Sequence, residues 1–308
     1  MLSINKNIIA ALAYFDEFNY PLTATELFTF LPSRLDNKIF NLTLSKLLAD
    51  GCIFIFNGFY TLKNEPQIAH YRQNGNDKAA QLLKVAEKVG NLLIKFPYVR
   101  GLAISGSLSK NFADDNSDID WFIITAANRL WIARTLLHLF KKTTFMFNKQ
   151  HHFCMNYFVD EAGLQIEEKN IYTATEVVTL MPLQGDDVFS KFFSANAWTL
   201  NYLPNNFMRV AKSKPYKKRF LKSAFEFCFN NILGDIIDNL LRRITVSRWL
   251  NKTRHKKMNQ RGVVMGMAAA KHFAKPDPKN YQQKLIKRYE NKVDSLFRHL
   301  DTELIQQL

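Results

Sequence analysis

Two aspartates one residue apart, Asp118 and Asp120, stand at the head of an apolar run in the stretch GSLSKNFADDNSDIDWFIIT, residues 106–125. On an extended chain residues i and i+2 face the same way, so the two carboxylates project together while Ile119 turns to the other side. Carboxylates held side by side repel unless a cation lies between them. Hard oxygen ligands of this kind suit Mg²⁺ or Mn²⁺, with substrate phosphates completing the shell. The Gly-Ser pair at the start of the stretch supplies the other half. Gly106 lets the backbone approach a ligand, and Ser107 opens an expected short helix whose free N–H groups and positive dipole end favour an anion such as a triphosphate. Ser109 adds a hydroxyl and Lys110 a counter-charge. The chemistry these residues can do is to hold a metal-bound nucleotide, with Asp118 and Asp120 as metal and catalytic positions and Gly106, Ser107, Ser109 and Lys110 on the nucleotide.

Such a site needs strands to carry its ends. The run VRGLAIS leads into the Gly-Ser turn, and DIDWFIIT follows as a second strand. NRLWIARTLLHLFKK then reads as a helix, with TTFMFN and HHFCMNYFV as further strands. Strands alternating with helices mean an α/β layer, and we expect it over residues 64–208. Before it, residues 1–63 read as three helices and a hairpin. Thr23 and Glu26 form a capping box, Gly51 ends the third helix, and Asn57-Gly58 marks a tight hairpin turn. Three helices with a terminal hairpin make a winged helix-turn-helix. Further helices are expected after LQIEEKN, with Thr173 and Thr175 as caps, and residues 209–308 read as a basic helical domain.

The strand, the Gly106-Ser107 turn, the intervening helix and Asp118-Ile119-Asp120 on a second strand resemble the signature of the nucleotidyltransferase fold, the DNA polymerase beta superfamily. The wider layout, with an N-terminal winged helix and segments such as NRLWIAR and NYFVDE, is similar to uncharacterised bacterial nucleotidyltransferase-like proteins. The resemblance implies an α/β (α+β) core with a small mixed sheet. It also implies transfer of a nucleoside monophosphate from an NTP, ATP among them, to an acceptor hydroxyl or phosphate with divalent metal. The superfamily places a third carboxylate on a later strand. Here FCMNYFVDE offers Asn156 at its centre, Asp160 only at its end, and Glu167 beyond, so the third position stays open among Asn156, Asp160 and Glu167. An amide there would weaken metal binding and base function together. The alternative is a nucleotide-binding regulatory protein with a degenerate site.

Other residues have blander readings. Asp114 and Asp115 suit a turn, Trp121 suits the core, and adjacent His151 and His152 make poor joint metal ligands. Arg129 and Arg134 flank Trp131 on one helix, where they could reach phosphate or remain solvated. Cys52, Cys154 and Cys228 fit neither a disulfide framework nor zinc-ligand spacing, so reduced, buried thiols are expected. The net charge of +15 is confined to one part of the chain. Residues 1–208 hold 19 Lys/Arg and 19 Asp/Glu, whereas residues 209–308 hold 23 and 8. A neutral N-terminal module, whose third helix carries only Lys38 and Lys46, argues against DNA binding there. The basic C-terminal part points to an anionic acceptor, RNA or an acidic protein. No window reads as a signal peptide or a membrane span, so a cytoplasmic protein is expected.

Overall fold

The computed structural model describes residues 3–147, 149–206, 212–217, 220–255, 265–278 and 281–306. Helices α1 (Ile4–Asp16), α2 (Ala24–Thr29) and α3 (Asn37–Ala49) are followed by the hairpin of β1 (Phe54–Phe56) and β2 (Phe59–Thr61). Each helix starts where a side chain can take orphan amides: Ser3 caps α1, Thr23 and Glu26 form the capping box of α2, and Asp36 caps α3. Asn57 and Gly58 both have positive φ, 51° and 80°, as the two-residue hairpin turn requires. Ile8, Leu12, Leu22, Leu27, Phe40 and Leu44 make the core of this block.

Helix α4 (Gln67–Leu93) leads to a six-stranded mixed sheet in the order β6–β3–β4–β5–β8–β7. The strands are β3 (Val99–Ser105), β4 (Asp120–Thr125), β5 (Cys154–Asp160), β6 (Met181–Gln184), β7 (Met265–Ala269) and β8 (Phe273–Pro278). Strand β3 is antiparallel to β4 and β6, and β4 is parallel to β5 through the crossover helix α5 (Leu130–Thr144). The period of two divides the buried side chains between two layers. Leu102, Ile104, Trp121 and Ile123 pack in one cluster with Leu93 and Trp131. Ala103, Phe122, Ile124 and Val159 pack in another with Val177, from α6 (Ile171–Val178), and Phe189, from α7 (Asp186–Ala195).

Three expectations give way. The run TTFMFN is no strand: Thr143 and Thr144 bond back to the carbonyls of Phe140 and Lys141 at the end of α5, and Phe145–Phe147 form a single exposed 3₁₀ turn. Helix α6 is capped by Asn170, not by a threonine. Residues 209–308 are not purely helical, because β8 joins the edge of β5 through Ala274 opposite Phe158 and Phe273 opposite Val159, covering a row of strand groups that would otherwise be bare. The two prolines of β8, Pro276 and Pro278, lie past that junction, where no donor to β5 is needed.

The basic helices are tied to the rest by ion pairs. Glu226 on α8 (Phe220–Phe229) accepts from the Tyr98 amide at 2.6 Å and pairs with Arg100 at 2.8 Å. On α9 (Ile232–Arg254), Asp238 accepts from the Ile132 amide at the start of α5. Helix α10 (Tyr281–Gln306) lies along α1, with Lys292 on Asp16 and Arg288 on Glu17. The three cysteines are free, but none is fully buried: Cys52 and Cys154 are half-buried and Cys228 is exposed. No helix among the described residues is long and apolar enough to cross a membrane.

Candidate functional site

A cavity of about 540 Å³ opens where β3 ends and β4 and β5 begin. Gly106, Ser107 and Lys110 reach it from the turn after β3, Asp120 and Phe122 from β4, and Asn156 from β5. Helix α6 contributes Thr173, Glu176 and Val177, and Lys275 enters from β8. Helix α1 adds Tyr14 and Phe15, and α10 adds Tyr281 and Gln282, so both ends of the chain close over the sheet.

The turn and the acidic strand touch. Ser105 lies opposite Asp120 in the β3–β4 ladder, and Gly106 follows with φ +70°. A Cβ at Gly106 would stand 2.6 Å from Asp120 Oδ2, so only glycine lets the backbone turn against that carboxylate. The helix expected after the turn is one 3₁₀ turn, Leu108–Lys110, too short to offer a macrodipole. Ser107 is exposed and faces the cavity. Ser109 turns inward, where its hydroxyl donates to the Gly106 carbonyl at 2.8 Å and shapes the turn. Lys110 Nζ donates to the Gly106 carbonyl at 3.1 Å and to Glu176 Oε1 at 2.8 Å.

Asp120 is the most perturbed carboxylate of the cavity. Burial pushes it up to about 6, the Cys154 thiol that hydrogen-bonds it pulls the other way, and the charges of Asp118 and Glu176 push it higher. Burial and the same carboxylate push the Cys154 thiol up to about 12, so it stays protonated as a donor. Asp118 lies two residues before the first residue of β4. Its Oδ1 is 2.6 Å from His151 Nδ1, and it does not line the cavity.

The three candidates for the third position separate clearly. Asn156 lines the cavity, two residues into β5. Asp160 is fully buried at the other end of that strand, opposite Thr125, and accepts from the amides of Asn128 and Ala162 and contacts His272 Nδ1. It fastens loops rather than facing Asp120. Glu167 is exposed and its neighbour Glu168 lines the cavity, paired with Lys275. Glu176, which belongs to no motif in the sequence, joins Asp118 in acting on Asp120 by its charge. Its signal was a single acid inside the otherwise uncharged run IYTATEVVTLM.

Among the described residues no three His, Cys, Asp or Glu side chains gather closely enough to hold a metal ion by themselves. Within the cavity Asp120 is the carboxylate that could serve a hard divalent cation: it is desolvated, and the charges of Asp118 and Glu176 act on it. Remaining ligands would come from a substrate. The upper wall is aromatic. Tyr20 and Tyr71 flank Phe112 at centroid distances of 6.0 and 5.1 Å, and Tyr172 meets Tyr281 at 6.2 Å. Burial raises the phenol pKa values of Tyr14 and Tyr172, and the charge of Glu176 adds to it.

The remaining candidates lie outside this cavity. Trp121 is buried and donates to the His152 carbonyl. Arg129 is buried against Asp235, and Arg134 is buried between the Trp131 and Phe158 rings. No family model matches the chain, and no curated protein or solved structure matches it either.

Proposed function

We propose that this chain is a metal-dependent nucleotidyltransferase that moves a nucleoside monophosphate from an NTP to an acceptor. The observation that carries the reading is the contact of the Gly106 turn with the Asp120 carboxylate inside one cavity, which brings a phosphate-sized approach and a metal ligand to the same point. Asp118 and Asp120 would hold Mg²⁺ or Mn²⁺, whose charge neutralises the phosphates and the leaving pyrophosphate when bound. Gly106, Ser107 and Lys110 would meet the triphosphate, and the Tyr20–Phe112–Tyr71 wall offers a ring face to a nucleobase. In the reaction an acceptor oxygen bonds to the α-phosphorus while the bond to the α–β bridging oxygen breaks. The strand order β6–β3–β4–β5, with an antiparallel pair ahead of a parallel crossover, agrees with a nucleotidyltransferase core. We read α1–α3 and β1–β2 as a winged helix recruited to wall the site, since Tyr14, Phe15 and Tyr20 all line it.

One observation favours a second reading. Of the three candidates for the third position, the one that lines the cavity is the amide Asn156, and His151 engages Asp118. That arrangement suits a regulatory protein that binds NTP without turnover. The experiment is incubation with each α-labelled NTP, Mg²⁺ or Mn²⁺ and a cell extract, beside an Asp118→Ala/Asp120→Ala variant and a parallel measurement of NTP binding. Label transfer lost in the variant supports the enzyme and isolates the acceptor, RNA or protein. Binding without transfer supports the regulator, and absence of NTP binding overturns both.

A further inference from the structure

Helices α5 and α9 leave between them a second cavity of about 660 Å³ that shares no lining residue with the first. Its charge is one-sided. Arg134, Lys142, Arg248 and Lys252 line it with His138 and His255, and no Asp or Glu among the described residues does. Arg134 is only 8% exposed, yet no described residue gives it an ion pair or a hydrogen bond; its contacts are the ring faces of Trp131 at 5.7 Å and Phe158 at 6.0 Å. The other well-covered arginines show what is missing. Arg72 pairs with Glu26, Arg100 with Glu226 and Arg129 with Asp235. Desolvation alone brings Arg134 down to about 10. The next inward side chain on the same helix face is also unsatisfied: His138 Nε2 is buried without a partner. Burial, followed by the charges of Arg134, Lys141 and Lys142, holds that imidazole down at about 3, so it is neutral.

A buried guanidinium without a carboxylate is costly unless an anion arrives from outside. Four cationic side chains around one cavity ask for more than a single carboxylate, and a phosphate carries close to two charges with three acceptor oxygens. The planar fork of arginine matches it in bidentate geometry. We propose that the cavity between α5 and α9 binds a phosphate-bearing anion, with Arg134 as its inner ligand and Lys142, Arg248 and Lys252 around its mouth. The phosphate comes either from a free phosphorylated compound or from successive phosphodiesters of single-stranded RNA, each of which carries one charge. For the second source Trp249, half-buried on the rim with Lys252 Nζ 5.4 Å from its ring, supplies a stacking face. The inference does not depend on the nucleotidyl-transfer reading, because it uses none of that site's residues.

Pyrophosphate titration by calorimetry in the presence of a chelator tests it on the full chain. We expect saturable binding, weakened about ten- to hundredfold by Arg134→Met and by the exposed pair Arg248→Ala/Lys252→Ala, as loss of charge-assisted hydrogen bonds predicts. Lys88→Ala, at an exposed lysine of α4 that lines neither cavity, should leave it unchanged. Should Arg134→Met fail to fold, the surface pair carries the test by itself. No saturable binding, binding indifferent to the substitutions at this cavity, or binding lost with Lys88→Ala overturns the proposal. A second arm uses fluorescently labelled short single-stranded RNA. Displacement of RNA by pyrophosphate, with RNA affinity lost in the surface pair, identifies the strand as the source, whereas pyrophosphate binding without RNA binding identifies a free compound.

Discussion

Replacing Asp120 by Asn should make the protein more stable at neutral pH while removing the metal ligand proposed above. Asp120 titrates at about 6 instead of its ordinary 3.8. A tenfold change in proton affinity corresponds to about 1.4 kcal/mol, so keeping this side chain ionised costs the fold about 3 kcal/mol relative to the unfolded chain. The sign follows from the raised value. The fold binds the proton more tightly than the unfolded chain does, so its contribution is fully present below pH 3.8 and is lost as pH rises through 6. Asparagine matches the carboxylic acid in shape, keeps an oxygen to accept from Cys154, and does not ionise. Urea unfolding at pH 4, 6 and 8 should therefore show Asp120→Asn ahead of the native chain by up to about 3 kcal/mol at pH 8, with the gap closing towards pH 4. A variant no more stable at pH 8, or ahead by the same margin at pH 4, would refute the argument. Mg²⁺ gives an independent readout: it should raise the melting temperature of the native chain at pH 8 and leave the variant unmoved.

Gly106→Ala should destabilise the chain by about 1–3 kcal/mol, because the new methyl meets Asp120 Oδ2 at a backbone φ of +70°, and NTP binding should fall with it in equilibrium dialysis. Arg72→Met should cost about 3 kcal/mol in urea unfolding, since buried Arg72 holds Glu26 at 2.7 Å, the Pro21 carbonyl at 2.7 Å and the Tyr20 ring at 3.7 Å, and lysine should not rescue a forked contact. Glu226 sits below its ordinary pKa: burial pushes it up, but hydrogen bonds from Arg100 and the Tyr98 amide outweigh that push. Its contribution is therefore present above the carboxylate's ordinary pKa and is lost as pH falls through the depressed one, so Glu226→Gln should flatten the acid limb of the stability profile measured by circular dichroism. Asn156→Asp should raise Mg²⁺ affinity several-fold by titration calorimetry if a third carboxylate is what the site lacks.

What the sequence showed about the fold follows from local forces. The capping box at Thr23, the Asn57-Gly58 turn and the alternation through Trp121–Ile124 are set by short-range hydrogen bonding and by burial of alternate side chains, and all are legible from neighbours in the chain. The place of β7 and β8 was not, because β7 pairs with its chain neighbour β8, and that pair joins the sheet only where β8 meets the β5 edge more than a hundred residues earlier. The same division runs through the site. The contact of Gly106 with Asp120 spans one hairpin connection, and its residues announced themselves by type and spacing. Glu176, Lys275, Tyr14 and Tyr281 reach the cavity from separate elements, and their presence there depends on how helices dock. Ser109 shows the converse: a hydroxyl of the right type beside the right turn, directed inward by the register of a single 3₁₀ turn.

The enclosure of one cavity by Tyr14 from α1 and by Tyr281 and Gln282 from α10 has a consequence for biosynthesis. Roughly 270 residues separate those walls, so at usual elongation rates α1 waits on the order of tens of seconds for the helix that covers it. During that interval the aromatic face of α1 is open and the pocket has no lid. A prematurely terminated chain would keep the Asp120 strand and the Gly106 turn but lack part of their enclosure. The complete pocket therefore forms only after α10 has been synthesised and has docked on α1.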